Sequence, residues 1–156
     1  MDEPANTGPL AMQLRKSPIE ARRSALMARV RQRDTAPEML VRKAAHGLGL
    51  RFRLQRRDLP GTPDLVFPSR RLALFVHGCF WHRHPNCPRC TSPKTRMEYW
   101  EDKFAANVAR DRRVTDELEA IGWQVEVVWE CETIDPERLL STLNQVFKIE
   151  QPPRLA

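Results

Sequence analysis

The chain alternates capped stretches of helix length with short apolar runs of strand length. Ser17-Pro18-Ile19-Glu20 combines a capping serine, a proline at the first helical position and an acid three residues after the serine. That signature predicts a helix to about Val30. Thr35-Ala36-Pro37-Glu38 repeats it and predicts a second helix ending near Gly47 or Gly49. Residues 51–54 read as an edge strand. Residues 64–67 and 72–76 read as two strands joined by the turn Pro68-Ser69-Arg70. Thr95-Arg96-Met97-Glu98 is a third capping box, predicting a long helical stretch broken near Asn107 and ending at Gly122. Residues 123–129, rich in Val and Trp, read as a buried strand, and Asp135-Pro136 opens a last helix to about Lys148. Residues 1–16 and 151–156 are expected as tails around a single domain, 17–150. With no internal repeat, this order predicts an α/β domain with a mixed central sheet flanked by helices.

Composition points to a class of partner only through charge. Of the 156 residues, 26 are Lys or Arg and 20 are Asp or Glu, a formal net charge of +6. The first predicted helix is especially basic, with Arg15, Lys16, Arg22, Arg23, Arg29, Arg31 and Arg33 on or beside it. Such a surface favours an acidic partner, nucleic acid first among them. No apolar run approaches the roughly 20 residues that span a bilayer. The first ten residues lack the basic-then-apolar order of a signal peptide, so a cytoplasmic location is expected. In that compartment four cysteines read as metal ligands or free thiols rather than disulfides.

The chemistry concentrates in residues 75–87, which hold three of the four histidines and two of the four cysteines, with Phe80 and Trp81 between them. Cys79-x2-His82, His84-x2-Cys87 and Cys87-x2-Cys90 all have zinc spacing, and Cys131 adds a further thiol, so spacing alone leaves several ligand sets open. His77 and His82 are equally candidates for proton transfer, because imidazole titrates near neutrality. Asp64 follows the rigid turn Pro60-Gly61-Thr62-Pro63 at a strand start, a position suited to Mg²⁺. A hairpin would bring Val76 and His77 toward it. Asp111 is either an orienting carboxylate for an imidazole or a surface partner of its neighbouring arginines. Glu38 is a capping residue first and a water-mediated metal contact second. Phe80 and Trp81 read as a wedge between base pairs or as a lid over a zinc site.

Taken together, these residues resemble the Vsr very-short-patch-repair endonucleases. The resemblance is carried by Pro60-Gly61-Thr62-Pro63-Asp64-Leu65-Val66, Phe75-Val76-His77-Gly78-Cys79-Phe80-Trp81-His82, Asn107-Val108-x-Arg110-Asp111-Arg112-Arg113, Gly122-Trp123-x-Val125 and Val128-Trp129-Glu130-Cys131. Arg23-Ser24-x-x-Met27 and Arg33-Asp34-Thr35-Ala36-x-Glu38 extend it upstream. The resemblance implies a restriction-endonuclease-like fold of the PD-(D/E)xK type, with catalytic Mg²⁺ and one structural zinc. It implies a nick 5′ to the thymine of a T:G mismatch in double-stranded DNA, the product of 5-methylcytosine deamination, and a functional link to a cytosine-5 DNA methyltransferase. By position, Asp64 and the Val76 carbonyl would bind Mg²⁺. His77 and His82 would be the active-site imidazoles, His82 the base, with Asp111 supporting them. Zinc would go to Cys79, His84, Cys87 and Cys131. Phe80, Trp81 and Trp100 would form the wedge, and Met27 would enter from the other groove. Position 76 is Val where the best-known members carry Thr, and Cys90 is an extra thiol. A nuclease of the same fold with another target, and a zinc-stabilised DNA-binding protein without catalysis, are the competing readings. A single-strand nick needs one active site, so a monomer is expected.

Overall fold

A computed structural model describes residues 33–149. The Ser17 helix, its basic residues up to Arg31, Met27 and both expected tails lie outside the described residues. Helix α1 (Ala36–Gly47) starts at the expected cap, with the Thr35 hydroxyl accepting from the Glu38 amide at 3.4 Å. The Glu38 carboxylate accepts from the Asp34 amide at 2.9 Å and from the Thr35 hydroxyl at 2.9 Å, so the reciprocal cap closes one residue further out than a standard box. Strands β1 (Arg53–Leu54), β2 (Leu65–Phe67) and β3 (Leu72–His77) pair antiparallel in sequence order. A 3₁₀ turn, Pro68–Arg70, joins β2 to β3, and Arg71 completes it in the left-handed region.

Helix α2 (Met97–Ala120) then crosses over, and β4 (Gln124–Trp129) pairs parallel to β3, from Leu72↔Gln124 to His77↔Trp129. A 3₁₀ turn (Glu130–Thr133) and α3 (Pro136–Phe147) follow, with Asp135 capping α3 through the Glu137 amide at 3.0 Å. The sheet order is β1-β2-β3-β4, a mixed sheet flanked by helices, as expected. One face packs Leu65, Phe67, Leu74 and Val128 against Val41 and Ala45 of α1 and Leu139, Leu143 and Phe147 of α3. The other packs Val66 and Ala73 against Leu118 of α2. Parallel β3 and β4 end side by side at His77 and Trp129. Everything that follows them meets at one end of the sheet, where α/β proteins place their ligands.

Three expectations need correction. The Thr95 capping box does not form: α2 begins one residue later, at Met97, with Arg96 left-handed and no side-chain cap. The Trp100 ring is nearly buried among Phe80, Trp81 and Phe104, and that docking decides where the helix starts. Nor does α2 break at Asn107. The Asn107 side-chain amide donates to the Trp81 carbonyl at 3.1 Å and so does not compete for the helix's own backbone. Finally, β4 is a half-buried edge strand in which Val128 alone is buried. Among the described residues no helix is long and apolar enough to cross a membrane.

Candidate active site and metal centre

Asp64 precedes β2 on the turn that begins at Pro60, and its Oδ2 accepts from the Val76 amide at 2.7 Å. The expected hairpin therefore ties the carboxylate to the residue before His77. Burial pushes this carboxyl up to about 6; the Val76 hydrogen bond opposes the rise, the nearby Glu38 charge adds to it and Arg42 counters it. Glu38 and Arg42 thus lie within electrostatic reach of Asp64. Glu38 is buried on the first turn of α1, and Arg42, one turn on, pairs with it at 3.2 Å. Arg42 also bonds Asp34 at 2.6 Å. Sequence reasoning missed Arg42, although its i,i+4 spacing from Glu38 was a readable signal.

His77 and His82 stack almost parallel, with ring centroids 3.8 Å apart and planes 12° from each other. His82 reaches this position because the loop after β3 folds into a tight turn, its amide bonding the Gly78 carbonyl at 3.1 Å. His82 Nδ1 meets Asp111 Oδ2 of α2 at 2.5 Å. The carboxylate can only accept, so Nδ1 carries the hydrogen and Nε2 is left as the basic nitrogen. Burial, reinforced by the neighbouring His82, pulls His77 down to about 4, with Asp111 opposing and Arg110 assisting. Burial thus favours the neutral form of His77. His77, His82 and Asp111 also bring ligand atoms within 4.8 Å of one another. Yet 2.5 Å between His82 and Asp111 is a hydrogen-bond length. Two oxygen or nitrogen ligands sharing an ion sit about 3 Å apart or more.

The second cluster lies on the other side of Trp129. Cys79, His84, Cys87 and Cys131 bring one ligand atom each within 4.8 Å of one another. His84 Nδ1 lies 3.6 Å from Cys79 Sγ and 3.4 Å from Cys131 Sγ. Tetrahedral zinc with ordinary bond lengths gives a sulfur–nitrogen edge of about 3.6 Å. Three thiols and an imidazole so arranged fit a structural metal ion such as zinc. Cys90, the alternative ligand, is not in the cluster. It stays on the loop, its amide bonded to the Cys87 carbonyl at 2.9 Å. Trp129 stacks on His84 at 4.2 Å and 5° and meets His77 edge-on at 5.6 Å, so one indole separates the two centres. In the sequence it is the end of a strand and part of the Val128-Trp129-Glu130-Cys131 run that carries the resemblance. Its bridging place follows from the register with His77, which no local pattern reveals.

Phe80, Trp81 and Trp100 do come together, with centroid separations of 5.1 to 6.0 Å. Trp100 is nearly buried, however, and Phe104, one turn along α2, completes the nest beneath Phe80 at 5.1 Å. Arg83 lies 4.4 Å over the Phe104 ring. The half-exposed tip is Phe80 and Trp81, with Trp100 and Phe104 bracing it from the helix. His46 stands in the last turn of α1, where the helix dipole favours it.

Comparison with known proteins gives a single picture. A family profile described as DNA mismatch endonuclease Vsr matches residues 19–89. A type II nicking enzyme of Xanthomonas oryzae pv. oryzae, V.XorIIP, is 54% identical over 126 residues, covering 81% of this chain and 92% of that protein. The DNA mismatch endonuclease Vsr of Escherichia coli is 44% identical over 120 residues, covering 77% and 76%. A type II nicking enzyme of Neisseria meningitidis serogroup A, V.NmeAIP, is 36% identical over 128 residues, covering 82% and 91%.

Proposed function

The chain belongs to the Vsr family of DNA endonucleases, and on that premise we propose that it nicks double-stranded DNA 5′ to the thymine of a T:G mismatch. One observation carries the reading. A histidine oriented by a carboxylate at 2.5 Å stacks on a second histidine, next in sequence to the residue that holds the half-buried Asp64. This is a hydrolytic arrangement with no evident role in packing alone. The restriction-endonuclease-like fold fits the mixed sheet and its crossover helix.

Asp64 and the Val76 carbonyl would hold Mg²⁺, which when bound polarises the phosphate and stabilises the leaving oxygen. The N–H and C=O of one strand residue leave the strand on the same side, so the Val76 carbonyl shares the side that its amide presents to Asp64. A main-chain ligand makes the valine at position 76 acceptable. Glu38 would reach that ion through water. His82 Nε2 takes the proton of the attacking water, while Asp111 keeps its tautomer and steadies the imidazolium. His77, neutral and stacked, holds the His82 ring in place. Zinc on Cys79, His84, Cys87 and Cys131 would fix the loop that carries His82 and the aromatic tip. Phe80 and Trp81, braced by Trp100, enter the base stack. A wobble pair is poorly stacked and separates at low cost, so intercalation turns deformability into selectivity. Met27 would enter from the opposite groove. A cytosine-5 DNA methyltransferase, which creates the base whose deamination yields the mismatch, is the expected functional partner, and the enzyme acts as a monomer in the cytoplasm.

The test is nicking of a labelled duplex with one T:G pair beside its fully paired control, with and without Mg²⁺, by wild type and Asp64→Ala. A Mg²⁺-dependent cut beside the mismatched T, absent in the mutant, is expected. Equal cutting of both duplexes would instead favour a nicking enzyme of this fold with another target, a reading prompted by the name of the Xanthomonas relative. Binding without any cutting would favour the non-catalytic alternative.

A further inference from the structure

Helix α2 meets the body of the protein through a narrow seam. Trp100, Phe104 and Leu118 are buried and Asn107, Asp111 and Val114 half-buried, positions that alternate in steps of four and three. Beside the seam runs a flank of Tyr99, Lys103, Ala106 and Arg110, all exposed. Lys103 lies 5.6 Å over the Trp81 ring at the aromatic tip. Two turns on, Arg110 stands beside the catalytic histidines. Its side chain is 55% exposed, although Asn107 and Asp111, its neighbours on the helix, are both engaged with the loop after β3. The side chain is thus close to the packed seam and yet uncovered.

Among the described residues Arg110 has one weak ion pair. That pair is with Asp111 Oδ1 at 3.9 Å, the outer limit for such a contact, and the same carboxylate is committed through Oδ2 to His82. An exposed pair of that kind contributes little. Between Asp102 and Asp116 the helix carries no other acid. The Arg110 guanidinium, 3.9 Å from the carboxylate that holds His82, is a cation that α2 brings beside the stacked imidazoles, where the negative charge of a phosphate attacked by His82-activated water would lie.

We infer that Arg110 is a further catalytic residue, whose guanidinium clamps a non-bridging oxygen of the scissile phosphate on the side opposite Asp64 and stabilises the charge that develops there. The inference rests on the endonuclease reading above. Bidentate guanidinium–phosphate geometry suits the role, and lysine cannot reproduce it fully.

The experiment uses the full chain with its metals, on the T:G duplex. It measures single-turnover nicking at saturating enzyme, and duplex affinity separately, for wild type, Arg110→Ala, Arg110→Lys and, as a control on the outer face, Arg112→Ala. Arg110→Ala should lower the saturated rate by roughly 10²- to 10³-fold, with affinity changed far less. Arg110→Lys should recover part of the rate, and millimolar guanidinium should rescue Arg110→Ala but not His82→Ala. Arg112→Ala should keep the wild-type saturated rate. A saturated rate for Arg110→Ala near wild type, whatever its affinity, overturns the inference and leaves a backbone contact. So does a slow Arg110→Ala that guanidinium does not rescue and that has lost the His82 Nδ1–H resonance, since Arg110 would then only position Asp111. If wild type cuts paired DNA instead, the same arms are read on that duplex. If wild type cuts nothing, the endonuclease reading falls and this inference with it.

Discussion

The two histidines of the loop after β3 that sequence spacing could not tell apart differ by what their Nδ1 atoms meet. His82 Nδ1 meets a carboxylate at 2.5 Å, and His84 Nδ1 meets sulfur at 3.4 and 3.6 Å. The first arrangement suits a base and the second a metal ligand. Cys131→Ala should therefore release zinc and lower the melting temperature, whereas His82→Ala should retain one zinc per chain and lose nicking by roughly 10²- to 10⁴-fold. Metal analysis beside the nicking assay checks both, and a zinc-free His82→Ala protein would show that the division of roles is wrong. Asp111→Asn should keep the fold and the zinc. It should slow nicking by about 10³-fold, because an amide can present either a donor or an acceptor to Nδ1 and no longer steadies the imidazolium.

At the scale of elements, the turn that delivers Asp64 is held against α2 at one point. Gly61 has φ +69°, and a Cβ there would run into a methyl of Val114. Gly61→Ala thus meets two obstacles, a left-handed backbone and a packed side chain. It should cost about 1 to 3 kcal/mol, measured by denaturant unfolding. Adding Val114→Ala should relieve the steric part and leave the backbone part. A Gly61→Ala protein as stable as wild type would mean that the turn is not locked to the helix. On the opposite face, Leu143 of α3 is fully buried among sheet residues, and Leu143→Ala should cost roughly 2 to 5 kcal/mol.

Across the whole molecule, the parallel pairing of β3 with β4 assembles the candidate site. It places the ends of two strands far apart in sequence beside each other, so Cys79 and Cys131 share one cluster and His77 and Trp129 share one register. The long crossover helix between those strands then brings Asp111 to His82 and lays a basic flank along the site. A molecule with net charge +6 that tracks a DNA backbone should show strongly salt-dependent affinity. The logarithm of its duplex binding constant should fall linearly with log salt, with a slope between about −4 and −9. A slope near zero in an anisotropy titration would contradict a backbone-tracking mode.

What the sequence determined by itself was local. Two helix starts, at Thr35 and Asp135, were legible because a cap, a proline and an acid act within one turn. The β2–β3 hairpin was legible because its turn residues dictate its backbone. The inventory of ligands, acids and aromatics, and the family resemblance, were also on the surface of the sequence. The third cap failed because aromatic docking of Trp100 outweighed a weak local preference, and Asn107 did not break the helix because a distant carbonyl took its side chain. Which imidazole meets carboxylate and which meets sulfur, the bridging place of Trp129, and the exposure of Arg110 beside the histidines are relations between segments tens of residues apart. Only the tertiary structure decided them, because strand register and helix docking are set by burying the two faces of the sheet, not by the residues that do the chemistry.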